Sequence, residues 1–135
     1  MSLNAPLLRS SFELVAARQP KLVHRFYEIL FERYPQVKPL FGRNAPTKQE
    51  EMLTSALVAV IDHLEDAPWL VSTLGQLGAK HDQYGVTPEM YGWVGASLLA
   101  TLAEVAGTDW TPALETAWTD AYGAIVGLMQ PAAQA

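Results

Sequence analysis

Apolar residues recur along this chain at spacings of three and four, and strict alternation of apolar and polar residues is absent, so the pattern predicts helices throughout. The first helix is expected over Ala5 to Arg18. A second starts near Pro20, carries Leu22, Val23, Phe26, Tyr27, Leu30 and Phe31 on one face, and stops at Tyr34-Pro35, because the residue before a proline is pushed out of helical geometry. A short helical turn follows from Pro35 to Phe41, and Phe41-Gly42-Arg43-Asn44-Ala45-Pro46 reads as a loop. Thr47 and Glu50 then have the spacing of a capping box, opening a helix with Leu53, Ala56, Leu57, Val60, Ile61 and Leu64 on one stripe. A fourth stretch covers Pro68 to His81, with Leu70, Leu74, Leu77 and His81 in register. Thr87-Pro88 and Thr111-Pro112 each pair an N-cap residue with a first-turn proline. The helix opened by the first carries Tyr91, Val94, Leu98, Leu102 and Val105 and ends before Gly107. The last stripe is Leu114, Trp118, Ala121, Tyr122, Ile125, Leu128 and Met129. The expected fold class is all-α, with six or seven helices around one core.

At 135 residues the chain is long enough for one ordinary domain with a continuous core, and no repeat or linker divides it. Half of the residues are hydrophobic and 17% are charged, the balance of a folded chain rather than a disordered one. The net charge of −5, with no basic run, argues against nucleic acid as a partner, since phosphate binding needs a positive stripe. There is no cysteine, which excludes disulfides, thiolate catalysis and thiolate-held metals. Met1-Ser2-Leu3-Asn4-Ala5-Pro6 lacks the basic start and apolar run of a signal peptide, and no stretch approaches the roughly 20 apolar residues of a membrane span. A cytoplasmic protein is expected.

Candidates for chemistry are therefore the three histidines and the polar residues placed on apolar stripes. His81 lies on the apolar face of its helix, just before the break Tyr84-Gly85-Val86. On periodicity alone, a buried histidine satisfied by a backbone carbonyl is the plainer reading, but a neutral imidazole at a helix end is also what an axial haem ligand requires. His63 follows Gln49 by fourteen residues, about 21 Å along a helix at ~1.5 Å per residue, and His63-Leu64-Glu65-Asp66 reads as a solvated helix end. His24 is expected to be partly exposed beside Arg25. Tyr27 stands within a core stripe, and Gln49 lies one turn before Leu53. Singly, Tyr27 reads as a core aromatic bonded to a carbonyl and Gln49 as a solvated first-turn residue. Taken with His81, they suggest a pocket with a ligand on one wall and two hydrogen-bond donors on the other. No phosphate-binding glycine loop, HExxH pair or GxSxG turn competes, and Glu50-Glu51 and Glu65-Asp66 read as solvated charge.

A wider set of residues carries a family resemblance. It comprises Arg25-Phe26-Tyr27-Glu28, Tyr34-Pro35 through Leu40-Phe41, Gln49 with Leu53, Lys80-His81-Asp82-Gln83-Tyr84-Gly85-Val86-Thr87-Pro88-Glu89-Met90-Tyr91, Val94-Gly95, Ala117-Trp118 and Ala121-Tyr122-Gly123. Over nearly its whole length the chain resembles the globin domain of bacterial flavohaemoglobins and the related single-domain bacterial haemoglobins. The resemblance implies a globin fold sandwiching haem b, with His81 as the proximal ligand to the iron and its other ring nitrogen bonded to a backbone carbonyl. Phe41, Leu53, Leu77, Val86, Tyr91 and Val94 would line the cofactor, and Lys80 would reach a propionate. Tyr27, Gln49 and Leu53 would form the distal wall.

The same resemblance implies ferrous iron that takes up O2, NO or CO. Two departures bear on the chemistry. Flavohaemoglobins continue into flavin- and nicotinamide-binding domains, whereas this chain ends at Ala135, so any electrons are expected from a separate reductase. Tyr91 matches the tyrosine of the family's proximal tyrosine–glutamate pair, but the glutamate's place falls near Ala133, which favours simple ligand binding over peroxidase-like chemistry. Reversible O2 binding is the leading expectation. The alternatives are a nitric oxide dioxygenase served by that reductase, and a sensor module without its output domain.

Overall fold

The computed structural model describes residues 4–41, 46–83 and 85–130, together with their side chains except those of Pro46, Asp82 and Gln83. The described residues form six α-helices: α1 (Ala5–Arg18), α2 (Leu22–Arg33), α3 (Pro46–Asp62), α4 (Ala67–Gln83), α5 (Pro88–Ala106) and α6 (Pro112–Met129). Two 3-10 segments, Pro35–Phe41 and Gly107–Asp109, complete the order, and no strand occurs among the described residues. None of the described helices is long and apolar enough to cross a membrane.

The boundaries follow local chemistry. Asn4 caps α1 by accepting from the Leu7 N–H at 3.3 Å, and Thr111 caps α6 by accepting from the Leu114 N–H at 3.2 Å. Thr87 is extended and Pro88 opens α5, as the Thr-Pro pair predicts. That helix ends at Ala106 because Gly107 takes φ +58, a conformation other residues rarely adopt. Arg18 crosses from α1 to bond the Ala106 carbonyl at 2.8 Å and pairs with Asp109. The second helix begins at Leu22 rather than Pro20, because Gln19 is extended and its side chain accepts from the Lys21 N–H at 3.0 Å. The fourth begins at Ala67 and runs past His81 to Gln83.

Packing is dominated by α2 on α5 and α4 on α6, with α1 laid across α5 and α6. One core cluster joins Leu8, Val15, Leu102, Leu114 and Trp118; a second gathers Val23, Phe26, Tyr27, Leu30 and Val37. In the first, the Trp118 indole N–H donates to the Ser11 hydroxyl at 2.9 Å, and that hydroxyl lies 2.8 Å from the Leu7 carbonyl. Ser11→Ala leaves the buried indole N–H without its acceptor, so urea denaturation is expected to show a loss of about 1–3 kcal/mol. By contrast, α3 rests on α2 and α1. Behind its Leu53 and Leu57, towards Phe26 and Leu98, lies an apolar void of about 10 Å³.

Candidate functional site

Tyr27 is drawn inward by its own stripe. Val23, Phe26 and Leu30 bury the same face of α2, and the Tyr27 side chain goes with them. Its ring packs on Phe26, Phe31 and Phe41 with centroids 5.2, 5.7 and 5.4 Å away, Phe41 being delivered by the 3-10 segment after α2. Burial pushes the Tyr27 phenol up, the Gln49 hydrogen bond opposes that shift, and the Glu50 charge adds to it. The hydroxyl therefore keeps its proton well above neutrality. The Gln49 amide donates to it at 3.4 Å, which leaves the phenol proton available to another acceptor. Leu53, one turn along α3, packs against the same cluster.

On the other side, α4 carries His81 close to its C-terminal end. Asp66 caps this helix by accepting from the Trp69 N–H at 3.2 Å, and Leu70 and Leu74 anchor it in the core. Gly78 sets how closely α4 approaches α6: a Cβ there would stand 1.8 Å from the Met129 carbonyl oxygen. The His81 ring is half-buried, with Nδ1 2.8 Å from the Leu77 carbonyl oxygen. A carbonyl can only accept, so Nδ1 carries the proton and Nε2 of the neutral ring keeps its lone pair. Past the end of α4, the Val86 N–H bonds back to the His81 carbonyl at 3.0 Å, and Gly85 takes φ +88.

The floor between the two sides is α5. Tyr91 is buried, with its ring centroid 6.2 Å from that of His81, and its carbonyl accepts from the Tyr122 hydroxyl at 2.6 Å. Tyr122 leans across Gly95, where a Cβ would lie 2.5 Å from its ring, and burial pushes its phenol far up. Val94, one turn beyond Tyr91, packs on the Tyr27 cluster. Phe41, Leu53, Leu77, Val86 and Val94 are all half-buried, and Lys80 is exposed.

Among the described residues, no group of three or more His, Asp or Glu side chains could hold a bare metal ion. One neutral imidazole beside half-buried apolar side chains instead suits a metal already held in an apolar macrocycle, so the residues present fit the haem that the resemblance implies.

Several expectations are corrected. Thr47 is not the cap of α3, because the helix has already begun at Pro46; the Glu50 carboxylate pairs with His24 Nδ1 at 2.8 Å instead. His63 is not a solvated end. It is half-buried, its Nδ1 lies 2.7 Å from the Ala59 carbonyl, and its ring stacks on Trp69 at 3.9 Å. Gln49 is half-buried and its amide meets the Tyr27 hydroxyl. His24 is exposed and linked to α3, a link that only the meeting of two helices could reveal. The loop Gly42 to Ala45, Tyr84 and the position of Ala133 lie outside the described residues.

Comparison with known proteins finds relatives of the chain in sequence and in fold. The family model described as Globin matches residues 24–129. A flavohemoprotein of Rhodopirellula baltica is 35% identical over 112 residues, 82% of this chain and 28% of that protein. A flavohemoprotein of Vibrio cholerae is 31% identical over 118 residues, 86% of this chain and 30% of that protein. The chain thus spans less than a third of the length of these curated relatives. Among solved structures, an engineered carbene transferase derived from a candidate nitric oxide dioxygenase of Rhodothermus marinus superposes with a TM-score of 0.81 at 28% identity, covering 94% of this chain and 88% of that one. A bacterial globin from Campylobacter jejuni superposes at 0.77 with 24% identity over 97% of each chain, a likeness of fold.

Proposed function

The chain belongs to the globin family, and we propose that it is a haem-binding protein of the cytoplasm that takes up O2 reversibly. The observation that carries this reading is the His81 ring, whose Nδ1 is held by the Leu77 carbonyl at 2.8 Å so that Nε2 keeps the lone pair a ligand needs. Haem b, when bound, supplies a ferrous iron to which O2, NO or CO can bind. His81 would hold it from the α4 side, while Phe41, Leu77, Val86, Tyr91 and Val94 would enclose its apolar body and Lys80 would meet a propionate.

On the other wall, the phenol proton of Tyr27 and the amide of Gln49 would donate to a diatomic ligand that has gained negative charge. Leu53 would crowd that ligand without competing for iron, since its side chain has no lone pair. The test is spectroscopic. Haem added to the purified protein should give a Soret band, and the reduced protein should shift its spectrum under O2 and return under inert gas. A protein that gives no Soret band refutes the haem assignment, and one that oxidises without a reversible shift refutes reversible binding.

A second reading is favoured by the structural likeness to the engineered Rhodothermus marinus protein. In that reading O2 and nitric oxide combine to nitrate, and a separate reductase returns one electron per turnover. Mixing the O2-equilibrated reduced protein with nitric oxide and a flavin reductase separates the two. A single turnover, however much reductase is supplied, is the outcome expected of the binding protein.

A further inference from the structure

The helix that carries Gln49 is the one least pressed into the core. Leu53 and Leu57 of α3 border the apolar void, and the Gln49 amide reaches Tyr27 at 3.4 Å, near the limit of a hydrogen bond. A second link joins the same two helix turns on the outside. His24 lies one turn before Tyr27 on α2, Glu50 follows Gln49 on α3, and His24 Nδ1 is 2.8 Å from the Glu50 carboxylate. The row continues: His24 Nε2 is 3.9 Å from Glu28, Glu28 is 3.6 Å from Arg25, and Arg25 forms a two-point bond with Glu104 of α5 at 2.7 Å each. Inner and outer contacts are thus parallel rungs between α2 and α3, and the outer rung is tied through α2 to α5.

The geometry points to His24 and Glu50 as positioning residues: their bridge holds the first turn of α3 so that the Gln49 amide stays in reach of the Tyr27 hydroxyl. As an account of ligand retention it rests on the distal role proposed for Gln49. An exposed pair is a weak link, so its effect is a shift in how often Gln49 is in place, about fivefold at most.

Two readouts test it. The first needs no haem: amide hydrogen exchange over residues 49–57 of the protein as purified. Glu50→Ala and His24→Ala should each speed exchange there a few-fold relative to α6. His24→Asn, whose amide nitrogen takes the place of Nδ1, should stay within about twofold of wild type. The second is the O2 release rate of the haem-loaded protein. Glu50→Ala should raise it about three- to fivefold, and should add nothing once Gln49 is already Leu.

Unchanged exchange in Glu50→Ala, or an undiminished effect of Glu50→Ala on O2 release in the Gln49→Leu background, overturns the bridge as a positioning device. If exchange behaves as expected but Gln49→Leu itself leaves O2 release unchanged, the distal role of Gln49 is refuted, and with it the bridge's part in ligand retention.

Discussion

His81→Ala should strip the protein of its haem. The ring nitrogen proposed to hold the iron has no substitute among the described residues of α4, where the neighbouring side chains are Leu77 and the exposed Lys80. Removing a group that merely supports a metal ligand costs about 10–100-fold in affinity, so removing the ligand should cost more than about a hundredfold. A haem titration followed at the Soret band measures this directly. Because His81 is half-buried, makes one local bond to its own helix and is not part of either core cluster, helix content by circular dichroism should stay near that of wild type. Free imidazole should restore the band by entering the space that alanine leaves. An unchanged band and ligation state in His81→Ala would remove it from the iron.

Tyr27→Phe and Gln49→Leu should each speed O2 release about tenfold. A hydrogen bond contributes about 1 kcal/mol net and more to a charged acceptor, and 1.4 kcal/mol is about a factor of ten. Phenylalanine keeps the contacts with Phe26, Phe31 and Phe41, so the loss isolates the hydroxyl. The two residues already bond each other at 3.4 Å, so their effects should not multiply fully, and the double variant should reach between ten- and a hundredfold. Rapid mixing of the O2-loaded protein with a scavenger checks this; unchanged rates in both single variants would take them out of the site.

Helix placement was largely legible in the sequence because local chemistry controls it. Thr87-Pro88, Thr111-Pro112 and Gly107 act through their own backbone angles and nearest N–H groups, and they open or close helices where expected. The stripe that buries Tyr27 was equally visible, since a period of 3.6 residues is a property of the chain alone. Thr47 and Glu50 show where this fails. Their spacing suits a cap, yet α3 starts one residue earlier and Glu50 finds a partner on another helix. His63 fails in the same way: a polar run marks a solvated end until Trp69 of the next helix is folded beneath it.

What the sequence by itself determined is the set of amphipathic helices, the ends marked by Thr-Pro pairs and Gly107, and the identity of the polar side chains set on their inner faces. These depend on contacts within a few residues and on the spacing of apolar positions. Which of those polar groups meet was decided by the tertiary structure. Tyr27 with Gln49, His24 with Glu50, and Tyr122 with the Tyr91 carbonyl are pairs 22 to 31 residues apart. Each depends on the rotation and crossing of two helices, and for Tyr122 and Tyr91 also on Gly95, where the lack of a side chain leaves room for the Tyr122 ring against α5.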